Sequence, residues 1–201
     1  MVDGEGMIAR APFMDAHAVS GSGRGVIACD RDGLGLATVI VRHGQLEALA
    51  QRIRERYGIE LPRGSVRKEA RGVAFAGLGP ETWLATSEKG GNEFSTSLRE
   101  EIGALASISD QSDGYAVLRL TGGKVRDTLA KLIPLDVHPR AFKPGDVAST
   151  VASHIGITLW RLDDAVDATP AFEIAVFRSL AGSFWHALAQ SAAEFGLSVN
   201  R

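Results

Sequence analysis

Two apolar spacings alternate along this chain, and that alternation limits the fold more than any other feature. Leu36-Ala37-Thr38-Val39-Ile40-Val41 is a β-branched run suited to a strand. Gln45 to Tyr57 follows, with Leu46, Leu49, Ile53 and Tyr57 at steps of three and four and arginines or glutamate on the other faces. That spacing predicts an amphipathic helix, and Gly58 sits where a left-handed stop belongs. Two strands are then expected, Gly72 to Leu78 and Thr82 to Thr86, joined by the turn Gly79-Pro80-Glu81. A helix from Asn92 to Leu105 buries Phe94, Leu98, Ile102 and Leu105, with Asn92 as its N-cap, and Ala106 to Ser109 closes the half as a strand.

The second half repeats the theme. Tyr115 to Thr121 alternates, with Ala116, Leu118 and Leu120 on one face and Tyr115, Val117 and Arg119 on the other. Gly122-Gly123 leads into a helix, Lys124 to Ile133, that Pro134 ends. After the loop Leu135 to Asp146, strands are predicted at Val147–Ser153, Ile155–Leu162 and Phe172–Phe177. The longest helix, Leu180 to Phe195, then turns Leu180, Phe184, Leu188 and Phe195 toward the core. Split β-α-β order of this kind makes antiparallel or mixed sheets with helices on one face. The fold class is therefore α+β, with two related lobes at about residues 33–110 and 111–201. Met1 to Asp32 reads as a loose arm, and the basic stretch Arg63 to Arg71 as a solvated connection.

Composition excludes more than it selects. The 201 residues are 45% hydrophobic and 23% charged, which is ordinary for a packed domain. The formal charge of −2 gives no reason to expect nucleic acid or an anionic membrane as partner. No window approaches the ~18 apolar residues of a membrane helix, and the acidic N-terminus does not resemble a secretory signal. A single cysteine, Cys29, fits a reducing compartment, so a cytoplasmic protein is expected.

Motifs for chemistry are scarce. Gly21-Ser22-Gly23-Arg24-Gly25 lacks the preceding strand and following helix of a phosphate loop. Gly77-Leu78-Gly79 runs through Pro80 into another strand, so it reads as a hairpin and not as a dinucleotide site. His17, His43, His138, His154 and His186 have no ligand partners at metal-binding spacing. No nucleophile elbow supports a hydrolytic triad. Asp163-Asp164 and Asp167 read as a solvated turn, and Trp83, Trp160 and Trp185 as core. Arg119, Arg126, Arg140 and Arg178 are assigned intrachain or surface pairing ahead of a place at subunit contacts. No catalytic, cofactor-binding or metal-binding residue is assigned to this chain.

Several segments, in order, resemble the gamma subunits of sarcosine oxidase. Gly77-Leu78-Gly79-Pro80-Glu81-Thr82-Trp83-Leu84 is similar to their hairpin. Ser107 to Ser112 is similar to their next stretch, although Gln111-Ser112 departs from its usual arginine-containing ending. Arg119 to Val125 resembles their strand-to-helix junction, and Pro134-Leu135-Asp136-Val137-His138-Pro139-Arg140-Ala141-Phe142, then Pro144-Gly145, closely resembles their long loop. Phe172 to Ala181 is the last match, before a helix bearing Trp185. The resemblance covers about Leu34 to the C-terminus and omits the amino-terminal arm.

The resemblance implies a fold like half of the glycine-cleavage aminomethyltransferase, the folate-binding architecture. It implies alpha, beta and delta partner subunits that together oxidise sarcosine to glycine, form hydrogen peroxide and pass the one-carbon unit to tetrahydrofolate. FAD, FMN, NAD, zinc and tetrahydrofolate would all reside in those partners, leaving this chain non-catalytic. Two other readings stay open at this stage. One is the gamma subunit of N-methylglutamate dehydrogenase or another N-methyl amino acid oxidase. The other is a stand-alone folate-binding or aminomethyl-transfer protein, for which Asp110 or Asp136 could hold the pterin ring.

Overall fold

The computed structural model describes residues 12–13, 24–164 and 169–200. His17, Asp167, the glycine-rich run at Gly21–Gly23 and most of the predicted arm lie outside the described residues. The strands are β1 (Val26–Asp30), β2 (Gly35–Val41), β3 (Arg67–Ala70), β4 (Val73–Gly79), β5 (Thr82–Ser87), β6 (Ala106–Asp110), β7 (Tyr115–Thr121), β8 (Val147–Ala152), β9 (Ile155–Arg161), β10 (Ala171–Phe177) and β11 (Leu197–Asn200). The helices are α1 (Leu46–Tyr57), α2 (Phe94–Ile102), α3 (Val125–Leu132) and α4 (Ala181–Ala192).

They form two sheets. One has the order β3-β4-β5-β2-β6 and the other β11-β1-β7-β10-β9-β8. Every pairing is antiparallel except β1 with β11. The apolar clusters define four layers. Leu49 and Ile53 of α1 and Leu98 and Ile102 of α2 pack on Val39, Phe75 and Trp83 of the five-stranded sheet. Leu129 of α3 with Phe184 and Leu188 of α4 packs on Leu118, Phe172 and Ile174 of the six-stranded sheet. Between the sheets lie Leu36, Ala76 and Leu84 from one and Val117, Val147, Trp160 and Ala175 from the other. Each sheet thus has helices on its outer face and the opposite sheet on its inner face, and the α+β reading with two lobes holds.

Local stops follow the chemistry of the chain. Gly58 caps α1 at φ 74°, and its N–H donates to the Arg54 carbonyl at 2.8 Å. Ile133 is extended (φ −125°, ψ 141°) because the ring of Pro134 disfavours helical backbone before it. Pro80-Glu81 turns β4 into β5, with Glu81 at φ 55°. Gly77 admits no side chain, since a Cβ there would stand 2.0 Å from the Gly64 carbonyl oxygen.

Several sequence expectations need correcting. Val26–Asp30, assigned to the loose arm, is β1, an interior strand of the sheet otherwise built from residues 115–200. Val26 and Ala28 are fully buried, and this short strand with only two such positions is too brief to register as a period. Arg63–Arg71 is not simply a connection, because Arg67–Ala70 forms the edge strand β3, where charged side chains are tolerated on open faces. Asn92 does not cap α2. Gly91–Glu93 is a 3-10 turn, α2 begins at Phe94, and the Asn92 amide reaches Asp113 at 3.3 Å. The predicted 180–195 helix is shorter, and α4 and α1 each have 12 residues. Leu180 lies in a 3-10 turn and is 37% exposed, while Phe195 follows the helix as the chain heads into β11, which was not anticipated.

Candidate functional site

Between the lobes lies a cleft of about 450 Å³, lined by Arg67, Lys68 and Glu69 of β3, Glu88 after β5, Arg119 of β7 and the segments at Pro144–Gly145 and Arg161–Asp163. An adjoining recess of about 220 Å³ is bounded by Arg31, Thr86, Glu88 and Glu173 among others. Strand register explains the grouping. Arg119 of β7 stands opposite Glu173 of β10, which stands opposite Trp160 of β9, so the three share the inner face in one row.

Glu173 is the centre of that row, with a side chain only 4% exposed. Its Oε1 accepts hydrogen bonds from Arg119 Nε at 2.9 Å and lies 2.7 Å from Arg119 Nη2. Arg31 Nε is 3.0 Å from the same oxygen, and Trp160 Nε1 donates to Oε2 at 2.8 Å. Arg31 also pairs with Glu88, which stands 3.9 Å from Arg119. Arg67 pairs with Glu69 at the cleft wall. Two guanidiniums and an indole N–H therefore occupy both oxygens of the buried carboxylate, which is how a buried charge becomes tolerable. The arrangement ties β7, β9 and β10 to Arg31 and, through Glu88, to the other sheet. Glu173 as an ion-pair centre was missed from sequence. Its available signal was a single carboxylate inside the apolar run Ala171 to Phe177.

A second basic cluster sits on the helix side of the six-stranded sheet. Arg161, 4% exposed, donates to the Phe142 carbonyl and to Asp164, both at 2.8 Å. Arg126 lies 4.0 Å from Asp164, with its guanidinium 5.8 Å from the Phe172 ring centre. Burial, and then the neighbouring Arg161 cation, lower the Arg126 pKa against the opposing pull of Asp164. The long-loop motif is structural. Asp136 accepts the His138 N–H at 2.8 Å, His138 Nδ1 accepts the Arg140 N–H at 3.2 Å, and buried Phe142 stacks with Phe172 at 6.4 Å.

The other residues singled out from sequence are dispersed. Asp110 ends β6, and its Oδ1 accepts the Ser112 N–H at 3.0 Å. Burial works to raise its pKa, but hydrogen bonds from Ser112, Ser95 and the Gln111 amide outweigh that and lower it. Neither Asp110 nor Asp136 lines the cleft. Trp83 and Trp160 are core, the former donating to the Pro62 carbonyl at 2.8 Å, and Trp185 is half-buried against Phe13. His43, His138, His154 and His186 are exposed, and among the described residues no three His, Cys, Asp or Glu side chains converge as a metal site. No helix among them is long and apolar enough to cross a membrane.

The far end of the inner face differs from the cleft. Tyr115 stands opposite Phe177, and Gly156 opposite Val151, one row beyond Val117, Ala175, Thr158 and Ser149. The other sheet does not cover this end. Phe177 is 50% and Val151 43% exposed, and Tyr115 stacks on Phe177 with ring centres 4.9 Å apart.

Residues 39–194 match the family model described as sarcosine oxidase, gamma subunit family. The chain is 33% identical over 106 residues to the sarcosine oxidase subunit gamma of Arthrobacter sp, an alignment covering 52% of each chain. It is 33% identical over 123 residues to that of Corynebacterium sp. (strain P-1), covering 59% of this chain and 57% of the relative. The matched region thus spans about half the length of these curated relatives. Among solved structures, a chain of the heterotetrameric sarcosine oxidase from Corynebacterium sp. U-96 in complex with pyrrole 2-carboxylate superposes at TM-score 0.77 and 25% identity, covering 93% of this chain and 96% of that one. The glycine cleavage system aminomethyltransferase T of Bartonella henselae shares the fold, at TM-score 0.64 and 11% identity, over 89% of this chain and 48% of its own. With the family model matching well over half of its residues, the chain belongs to the sarcosine oxidase gamma subunit family.

Proposed function

We propose that this chain is the non-catalytic gamma subunit of a heterotetrameric sarcosine oxidase, assembled with alpha, beta and delta subunits. The complex would demethylate sarcosine oxidatively to glycine, with hydrogen peroxide and 5,10-methylenetetrahydrofolate as the other products. The observation that carries this reading is the likeness, along nearly the whole of both chains, to one chain of a heterotetrameric sarcosine oxidase. The cleft chemistry supports it. The buried carboxylate that could have held a ligand is spent on Arg31, Arg119 and Trp160. The resemblance places flavin, nicotinamide, zinc and folate chemistry in the partner subunits, and electron transfer from an amine needs such a cofactor. A half-buried lone Cys29 suits a cytoplasmic setting.

The test is co-expression of the tagged chain with the three partner chains, followed by native mass and visible absorbance of the eluate. A yellow four-chain species that consumes oxygen with sarcosine is the expected result. A colourless species at the mass of this chain alone would overturn the assignment, and folate binding by the isolated chain would then be measured.

A further inference from the structure

The strands at the four sheet edges are not equally protected. The outer strand β3 carries Arg67, Lys68 and Glu69, charges that discourage pairing with another chain. On β6 the Arg99 guanidinium reaches the Ile108 carbonyl at 3.3 Å. The edge strand β11 has only 4 residues. The fourth, β8, reads Val147-Ala148-Ser149-Thr150-Val151-Ala152, with neither a charge nor a proline.

Among the described residues, only the ends of the β8 edge are occupied. Val147 N–H donates outward to the Ser65 carbonyl at 2.9 Å, beside an antiparallel bridge between Val66 and Asp146. Ser153 N–H donates to the Leu132 carbonyl, also at 2.9 Å. Alternation along the strand points the Ser149 and Val151 backbone groups the same way, and no described residue pairs with them. Pairing with this edge therefore begins at Ser65–Val66 and is left unfinished over positions 148–152, about 16 Å at roughly 3.3 Å per residue. The open stretch borders the uncovered end of the inner face, and Tyr115, Ser149, Val151, Thr158 and Phe177 line one shallow groove there.

We infer that β8 is the docking edge of this chain, and that an extended segment of a partner subunit adds to it as a further strand. Free backbone donors and acceptors at alternate residues specify an extended backbone as the occupant, and a helix or a flat apolar surface would leave them unpaired. The apolar side chains of that segment lie on Val151 and the Tyr115–Phe177 stack, covering surface that otherwise faces water. The inference rests on the gamma-subunit reading for the identity of the partner.

The experiment is amide hydrogen exchange across residues 147–158, in the isolated chain and in the complex co-expressed with alpha, beta and delta chains. Exchange at the Ser149 and Val151 amides should slow by at least about tenfold on assembly. Ser149→Pro deletes an edge donor the chain itself does not use, and Val151→Lys puts a charge in the groove. Each should leave the circular dichroism spectrum of the chain unchanged and reduce its co-purification with the other subunits by about tenfold or more. A complex that forms with these amides exchanging as fast as in the free chain overturns the docking edge and leaves the subunit assignment standing. Failure of the wild-type chain to assemble at all refutes both. Equal protection in a homodimer of the isolated chain makes the occupant a second copy and refutes the partner strand.

Discussion

Replacing Glu173 by alanine tests whether the inter-lobe ion-pair cluster holds the sheets or merely decorates them. The carboxylate is 4% exposed, whereas Arg31 and Arg119 are 21% and 34% exposed. Removing one member of a buried pair costs about 3–5 kcal/mol when its partner is stranded. Here both cations retain some water and Arg31 keeps Glu88, which reduces that cost. The Trp160 N–H, in contrast, loses its acceptor at a position only 1% exposed, a penalty of about 1–3 kcal/mol in itself. The expected loss for Glu173→Ala is therefore about 2–4 kcal/mol, or roughly 5–15 °C in Tm for a chain of this size. Glu88→Ala removes a carboxylate that is 56% exposed and should cost no more than about 1 kcal/mol. Glu173→Gln keeps an acceptor for Trp160 and should fall between them. Urea unfolding of the purified chain followed by tryptophan fluorescence measures all three. Equal losses for Glu173→Ala and Glu88→Ala would refute the claim that burial gives Glu173 its weight.

Other perturbations separate packing from charge. Asp30 has a raised pKa because burial, and then the neighbouring Asp32, disfavour its charge. A raised carboxyl pKa means the folded state holds its proton more tightly, so stability falls as pH rises from the ordinary carboxylate value through the folded one. Asp30→Asn should therefore raise Tm at pH 7 and lose that advantage near pH 3, as read in paired thermal melts. Gly122→Ala should cost several kcal/mol, since φ is 120° and a Cβ would stand 2.3 Å from the Gly25 carbonyl oxygen; chemical denaturation checks it. Arg126→Met should be neutral or stabilising because it removes a partly buried cation beside Arg161 while keeping contact with Phe172, again measured by urea midpoint. The isolated chain, exposing Phe177, Val151 and Ile40, should form polydisperse aggregates at high concentration in light scattering and not a discrete dimer, and a monodisperse monomer would contradict that.

The parts of the fold that could be read from the chain are those whose periods run long enough to repeat. The α1 stripe of Leu49 and Ile53 and the alternation of β7 both meet that condition, and both elements lie where expected. β1, β3 and β11 do not, having 5, 4 and 4 residues. Their conformation is set by the neighbour they pair with, as when Gly25 and Val26 donate to the carbonyls of Phe195 and Gly196 at 3.0 Å. The cleft was illegible for a related reason. Arg31, Glu88, Arg119 and Glu173 are spread over more than 140 positions and meet only through register, so no local spacing marks them as a group.

Three successive rows on one sheet face set the buried ion-pair cluster apart from the exposed end of that face. Arg119, Glu173, Trp160 and Val147 form the first row, Val117, Ala175, Thr158 and Ser149 the second, and Tyr115, Phe177, Gly156 and Val151 the third. The first row closes on itself through ion pairs, and Val117 and Ala175 of the second pack against Leu36 and Leu84 of the other sheet. In the third, Tyr115 is half-buried against that cluster while Phe177, Gly156 and Val151 are exposed. All rows share the same strands, and side chains two positions apart project from the same face. A substitution at Glu173 or at Val151 therefore leaves the backbone pairing and the two outer cores intact. Polarity at one end of the face can then change independently of recognition at the other. The Glu173→Ala and Val151→Lys variants should accordingly behave additively, the first lowering stability and the second lowering assembly. If Glu173→Ala alone abolished co-purification while the chain remained folded, the two ends would be coupled and this separation would fail.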